Sequence, residues 1–264
     1  MITLQKIRVT FNAGTILENR ALRNVSLAIP EGQFVTIIGS NGAGKSTLLG
    51  AVSGETAISQ GSVAIGDVDV TRWPVHKRAK FAARVFQNPL AGTCATLSIE
   101  ENMALAYKRG KQRGWHLALS SNRRKIFQDR ISILGLGLED RLSDSIGLLS
   151  GGQRQAVSLV MATLSDSHLL LLDEHTAALD PRMAAFVLEL TNKVVKEFSL
   201  TVMMVTHSMK DALASGDRTI MLHQGEVVFD VAGDERKKLD VPQLLEMFSR
   251  VRNEELSDDS LLLG

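Results

Sequence analysis

Gly39-Ser40-Asn41-Gly42-Ala43-Gly44-Lys45-Ser46-Thr47 is the stretch that decides the fold of this 264-residue chain. It fits G-x-x-x-x-G-K-[ST] at every fixed position. The apolar run Phe34 to Ile38 leads in as a buried strand, and Lys45 to Val52 reads as the start of a helix. Glycines let consecutive backbone N–H groups turn toward phosphate oxygens, and the positive end of the helix dipole faces the same charge. Lys45 is expected to reach the β- and γ-phosphates of a nucleoside triphosphate, and the Ser46 hydroxyl to ligate Mg²⁺. With strand and helix both present, a glycine-rich turn that binds nothing is set aside.

A second stretch, Leu149-Ser150-Gly151-Gly152-Gln153, has its own local logic. Ser150 followed three residues later by Gln153 is a capping box. The apolar positions Ala156, Val157, Leu159, Val160 and Leu164 then fall on one helical face. Ser150, Gly151 and Gly152 thus offer N–H groups and a hydroxyl at a helix N-terminus, a second anion site. A merely well-capped helix is the plainer reading. Distance along the chain leaves open whether both sites serve one nucleotide.

Together the two stretches resemble the ATP-binding cassette family, in which LSGGQ is the signature motif. The resemblance covers nearly all of the chain, with the motifs in the family's order. It implies an α/β fold of the P-loop NTPase (RecA-like) type: a mainly parallel sheet core, an antiparallel edge sheet and an inserted helical subdomain. It also implies ATP and Mg²⁺ as cofactors. Two copies would pair head to tail, the signature of one (Ser150, Gly151, Gly152, Gln153) closing on the ATP held by residues 39–47 of the other.

Further residues fit this resemblance. Leu169–Leu172 runs uninterrupted into Asp173-Glu174, which suits a parallel strand buried on both faces with an acidic tip at the ligand-binding edge. By resemblance Asp173 holds Mg²⁺, and Glu174 accepts a proton from the attacking water. Gln87 matches the glutamine that senses Mg²⁺ and lies near the contact with a membrane partner. His207, after Val202–Thr206, matches the switch histidine at the γ-phosphate. Ala178-Leu179-Asp180 matches the loop that communicates between the two sites. Phe11, 28 residues before Gly39, matches the aromatic that stacks on adenine. The family more often has Tyr there, and a core Phe is the alternative. After Asp-Glu the family mostly has proline, where this chain has His175. Neighbours in sequence cannot all point at one ion, so His175 reads as a variant with no metal role. The segment Asp173–Asp180 also resembles one branch of poorly characterised bacterial uptake ATPases associated with aromatic amino acids.

Composition agrees. Apolar content of 44% makes the chain globular, and a net charge of +1 gives no case for a nucleic-acid partner. The single cysteine, Cys94, excludes an internal disulfide and suits a reducing compartment. No apolar run approaches membrane-spanning length and Met1 opens no signal peptide, so a transport role calls for separate transmembrane permease subunits.

One ATPase domain is expected over 1–264, with its core at 1–87 and 161–235 and a helical subdomain at 88–160. A C-terminal helix and tail would occupy 236–264. Alternation at Ile7–Phe11 and Val25–Ile29 suggests the antiparallel edge sheet, with later strands at Leu169, Val202 and Ile220. Ser98-Ile99-Glu100-Glu101 is a capping box opening a helix through about Tyr107. Lys108 to Lys125 holds seven basic residues and no acidic one. It reads as a solvated loop, with contact to a membrane subunit or anionic lipid as the sharper alternative. Asp240 caps a last helix with Leu244, Leu245, Phe248 and Val251 on one face. No internal repeat is found, so the chain is half of a dimer.

The expected function is that of an ATP-hydrolysing subunit energising a bacterial transporter from the cytoplasmic face of the inner membrane. Solute import is favoured, with amino acids as candidate cargo and an extracytoplasmic solute-binding protein as a further partner. Export or lipid and lipoprotein extraction would use the same ATPase. A cassette acting on nucleic acid usually has two cassettes or a long coiled coil. A GTPase would need N-K-x-D, and Asn192-Lys193-Val194-Val195 lacks the aspartate.

Overall fold

Strands made of unbroken apolar runs form the centre of the molecule. A computed structural model describes residues 1–111, 118–165, 167 and 169–250. The first half comprises β1 (Ile2–Phe11), β2 (Asn19–Ile29), β3 (Phe34–Gly39), α1 (Lys45–Ser53), β4 (Gln60–Ile65), β5 (Val68–Asp69), α2 (Val75–Arg78) and β6 (Ala82–Val85). Helices α3 (Ile99–Tyr107), α4 (Ser121–Ile131) and α5 (Gly151–Ala162) follow, with short 3₁₀ turns between the last two. The chain then alternates through β7 (Leu169–Asp173), α6 (Pro181–Glu197), β8 (Thr201–Val205), α7 (Met209–Ala214), β9 (Arg218–His223), β10 (Glu226–Ala232) and α8 (Gly233–Lys237).

Six strands form one sheet in the order β10-β9-β3-β8-β7-β6, parallel except for the β10 hairpin partner. The expected antiparallel sheet is β2-β1-β4-β5, hydrogen-bonded separately from the six strands and completed by two strands that follow α1.

The leucines of β7 explain how the layers stack. Successive side chains on a strand point to opposite faces. Leu170 and Leu172 enter the cluster containing Met103, Phe127, Val157 and Val160 of the helical layer. Leu169 and Leu171 enter the cluster shared with α1 and the antiparallel sheet. All four are buried, each worth about 1.5–3 kcal/mol. A continuous apolar run is what a strand covered on both sides requires.

Helix starts follow the expected chemistry. Ser98 and Ser150 each cap their helices through complete capping boxes with Glu101 and Gln153. Asp240 accepts from the Gln243 N–H at 2.8 Å, and residues 241–250 are helical. Leu244 and Phe248 pack with Ile38, Ala212 and Met221, but Leu245 is turned outward, 49% exposed. A helix of period 3.6 puts positions i and i+4 on one stripe and rotates i+1 off it. Val251 lies outside the described residues.

The basic stretch is also only partly the loop expected. Arg109 is half-buried, donating to the Ala162 carbonyl at 2.8 Å and the Ser165 hydroxyl at 2.6 Å. Burial alone pushes its guanidinium down to about 10. Arg123, Arg124 and Lys125 stand on α4, while 112–117 lie outside the described residues. Asn192–Val195 lies within α6, not in a base-reading loop. Among the described residues no helix is long and apolar enough to cross a membrane.

Candidate active site

The loop from β3 to α1 is shaped by close backbone approaches. Gly39 has φ 152°, and a Cβ there would lie 2.1 Å from the Leu222 carbonyl oxygen of β9. Gly44, at φ 95°, would bring a Cβ to 2.4 Å from the Ala21 carbonyl oxygen. Only glycine fits either place. Asn41 and Gly42 form an exposed tip with Ser40 half-buried beside it, while Ala43 is buried and its carbonyl accepts from the Gly225 N–H at 3.1 Å. Thr47 is half-buried on the first turn of α1.

Lys45 is buried, and its ammonium donates to the Gly39 and Ser40 carbonyls at 3.0 Å each. Burial lowers its pKa, and the negative charges of Glu174 and Asp173 partly offset that.

The parallel register sets Asp173 beside Val205, so the ends of β7 and β8 share one edge with β3. There the Ser46 hydroxyl donates to Asp173 Oδ1 at 2.9 Å, and Arg84 Nη2 donates to Oδ2 at 2.6 Å. A hydroxyl and a carboxylate oxygen at this separation suit Mg²⁺, a hard cation that takes few protein oxygens beside its nucleotide. Glu174 follows in the left-handed region at φ 44°, its N–H donating to the Val205 carbonyl at 3.0 Å. His207, exposed after β8, has Nδ1 3.9 Å from Glu174 Oε2. Lys45, Ser46, Asp173, Glu174 and His207 therefore converge on one sheet edge.

Other residues named from sequence stand apart from this cluster. Gln87 is exposed just past β6 and makes no side-chain hydrogen bond among the described residues. Phe11 ends β1, 42% exposed and outside the apolar clusters, so it is not a core phenylalanine. Ser150 caps α5, and no hydrogen bond among the described residues joins Ser150–Gln153 to residues 39–47. The same turn does meet the start of α6. A Cβ on Gly151 would lie 3.9 Å from Leu179, and one on Gly152 would strike Met183 at 2.6 Å. Asp180 caps α6 by accepting from the N–H groups of Arg182 and Met183.

His175 is buried, and its Nε2 lies 3.0 Å from Thr191 Oγ1. The Thr191 hydroxyl donates to the Val187 carbonyl, so its oxygen accepts and the ring carries its proton on Nε2. Full burial pushes the imidazole down to about 4.

Sequence reasoning missed two groups. Arg84 was legible only as a charge inside the apolar run Ala82–Val85. Gln155, fully buried, donates from Nε2 to the Phe86 carbonyl at 3.0 Å, tying α5 to the residue before Gln87. No local pattern reveals a contact across 69 residues.

The family model described as ABC transporter matches residues 22–177, more than half of the chain. This chain belongs to that family. It is 44% identical over 230 residues to a tyrosine transport ATP-binding protein of Clostridioides difficile, covering 87% of this chain and 91% of that one. It is 35% identical over 245 residues to a phosphonates import ATP-binding protein of Chromohalobacter salexigens, covering 88% and 84%. A solved dimeric ATP-binding cassette in a post-hydrolysis state with ADP and Pi superposes with a TM-score of 0.76 at 30% identity. That match covers 88% of this chain and 98% of the other. The expected P-loop fold is the one found, and the chain is an ATP hydrolase of the ABC transport type.

Proposed function

We propose that this ABC ATPase drives solute import in a bacterium, with an aromatic amino acid as the cargo class. The observation that carries the chemistry is the meeting of Lys45, Ser46, Asp173 and Glu174 at one sheet edge. Similarity to the tyrosine transport protein supports the cargo.

Residues 39–47 wrap the phosphates with N–H groups at the α1 N-terminus, and Lys45 exchanges its carbonyl partners for phosphate oxygens. Phe11 offers its exposed ring to adenine. Ser46 and Asp173 would hold Mg²⁺, with Gln87 as a further contact, and the ion would neutralise charge on the β- and γ-phosphates. Glu174 takes the proton of the attacking water, and His207 orients the γ-phosphate beside it. The exposed N-terminus of α5, with Ser150, Gly151, Gly152 and Gln153, closes on the nucleotide of a second copy paired head to tail. Asp180 lies next to that surface and links the two sites. The dimeric cassette of similar fold supports the association of two copies.

Transmembrane permease subunits dock on the helical segment 88–160, at the cytoplasmic face of the inner membrane. A cavity of about 460 Å³ behind Gln87 supports this; Phe86, Pro89, Cys94, Leu105 and Arg109 are among its walls. An extracytoplasmic solute-binding protein delivers the cargo.

Vesicles containing this chain with its genomically adjacent membrane subunits test the proposal. ATP-dependent uptake of labelled tyrosine or phenylalanine is expected. Uptake of a phosphonate but of neither amino acid would refute the cargo class, and ATP-driven efflux would refute import.

A further inference from the structure

Arg84 is the one charged residue of β6, and three groups hold it. Its Nη2 donates to Asp173 Oδ2 at 2.6 Å, its Nη1 pairs with Glu55, and its guanidinium carbon sits 5.0 Å from the Phe86 ring centroid. Side-chain exposure is only 12% for Arg84 and 13% for Asp173. An ion pair this dry holds its geometry better than a surface pair, because removing one partner leaves the other charge stranded.

We propose that Arg84 is a positioning residue of the divalent-cation site, orienting Asp173 so that Oδ1 faces Ser46. This rests on the reading above that Ser46 and Asp173 hold Mg²⁺. The terminal torsion of a carboxylate is soft. With Oδ2 fixed by the planar guanidinium, Oδ1 is left toward the Ser46 hydroxyl at 2.9 Å. Groups that hold a metal-binding carboxylate from behind tune its affinity for the ion.

Charge is the objection to such an arrangement. An arginine on Asp173 alone would cancel the negative charge that attracts a cation. Glu55 answers it, since Glu55, Arg84 and Asp173 together keep one net negative charge. Glu55 directly follows Gly54, the C-cap of α1, whose first turn carries Ser46. One helix thus fixes Ser46 at its start and, just past its end, the carboxylate that holds Arg84.

Mn²⁺ binding tests this in Glu174→Gln protein desalted with ATP bound, read by loss of the free-ion electron paramagnetic resonance signal. Arg84→Met should raise the Mn²⁺ Kd about 10- to 100-fold, the usual effect of removing such a partner. ATP affinity in EDTA should change by less than about threefold, since residues 39–47 are untouched. Glu55→Gln keeps Arg84 in place but strips the compensating charge, and should also weaken Mn²⁺ binding. Thermal melts report folding, and if Arg84→Met fails to fold, Glu55→Gln alone decides. An unchanged or tighter Mn²⁺ Kd in the folded variants would overturn the proposal. If the Glu174→Gln parent holds Mn²⁺ no better than ATP does in solution, the assignment of Ser46 and Asp173 fails instead.

Discussion

Glu174 sits at φ 44°, in a backbone region that L-residues other than Asn, Asp and Gly rarely enter. The conformation costs about 1–2 kcal/mol, and it is held by the bond from the Glu174 N–H to the Val205 carbonyl. Two substitutions separate the side chain's chemistry from the backbone's strain. Glu174→Gln keeps size and strain but loses the base. Hydrolysis is expected to fall about 100- to 10,000-fold, which is about 3–5 kcal/mol of barrier. Its stability should stay near wild type. Glu174→Gly loses the base equally but releases the strain, against about 0.5–1 kcal/mol of added unfolded-state entropy. Relative to Gln the net gain is about 0–1.5 kcal/mol, or a melting point from equal to roughly 5 °C higher at this chain length.

Phosphate release measures the first effect, and calorimetry without nucleotide the second. Near-normal turnover in Glu174→Gln would remove Glu174 as the base. A Gly variant melting below the Gln variant would show that the turn is not strained.

Three other outcomes are expected. Ser150→Arg should block ATP-driven pairing yet spare ATP binding by the monomer, and mixing it with a Lys45→Ala chain should restore one composite site; loss of monomer binding would place the signature in cis. Gln87→Ala should lower cargo moved per ATP in vesicles containing the whole transporter, by about 5- to 150-fold if the coupling is of usual size; an unchanged ratio would confine Gln87 to the metal site. His175, pushed down to about 4 from an ordinary 6.5, binds fewer protons folded than unfolded. Its stabilising effect is complete above the unfolded value and is lost as pH falls between the two. Urea unfolding in metal-free buffer should therefore show His175→Gln with a shallower pH dependence across that window, by up to about 1.4 kcal/mol per pH unit. Equal slopes would mean that the ring is solvated.

The nucleotide loop and both capping boxes were legible because their chemistry is local. Gly39 and Gly44 are demanded by φ and by neighbouring carbonyls, and Ser98 and Ser150 bond to N–H groups three residues on. The strand at Leu169 was legible from its length and flanks. What escaped was decided by partners distant in sequence. Arg84 takes its meaning only from the register of its strand with β7, next to the end that carries Asp173. Arg109 looked like one of a run of solvated cations, yet its partners Ala162 and Ser165 lie 53 and 56 residues away. Leu245 differs for another reason, since apolar type alone does not say which face of a short helix meets the core.

Lys45 and Ser46 already have partners within the chain, and this bears on how the site works as a cycle. The ammonium has two carbonyl acceptors and the hydroxyl has Asp173 Oδ1. A phosphate bound as proposed would therefore exchange bonds here. Both kinds of bond already involve an ionised group, a class worth about 1.5–3 kcal/mol each, so an exchange gains only the small difference between two charge-assisted bonds. The carboxylates of Asp173 and Glu174, whose charges also act on Lys45, would reduce that gain further by repelling the phosphates it is proposed to bind. On the proposed reading, a site so arranged would bind triphosphate through many small differences, each reversed when the γ-phosphate leaves. Strain at Glu174 would work in the same direction: the turn holds the proposed base in place at a cost that no substrate contact has to repay. An ATPase that must release ADP on every stroke is better served by such self-satisfied groups than by a lysine with no other partner.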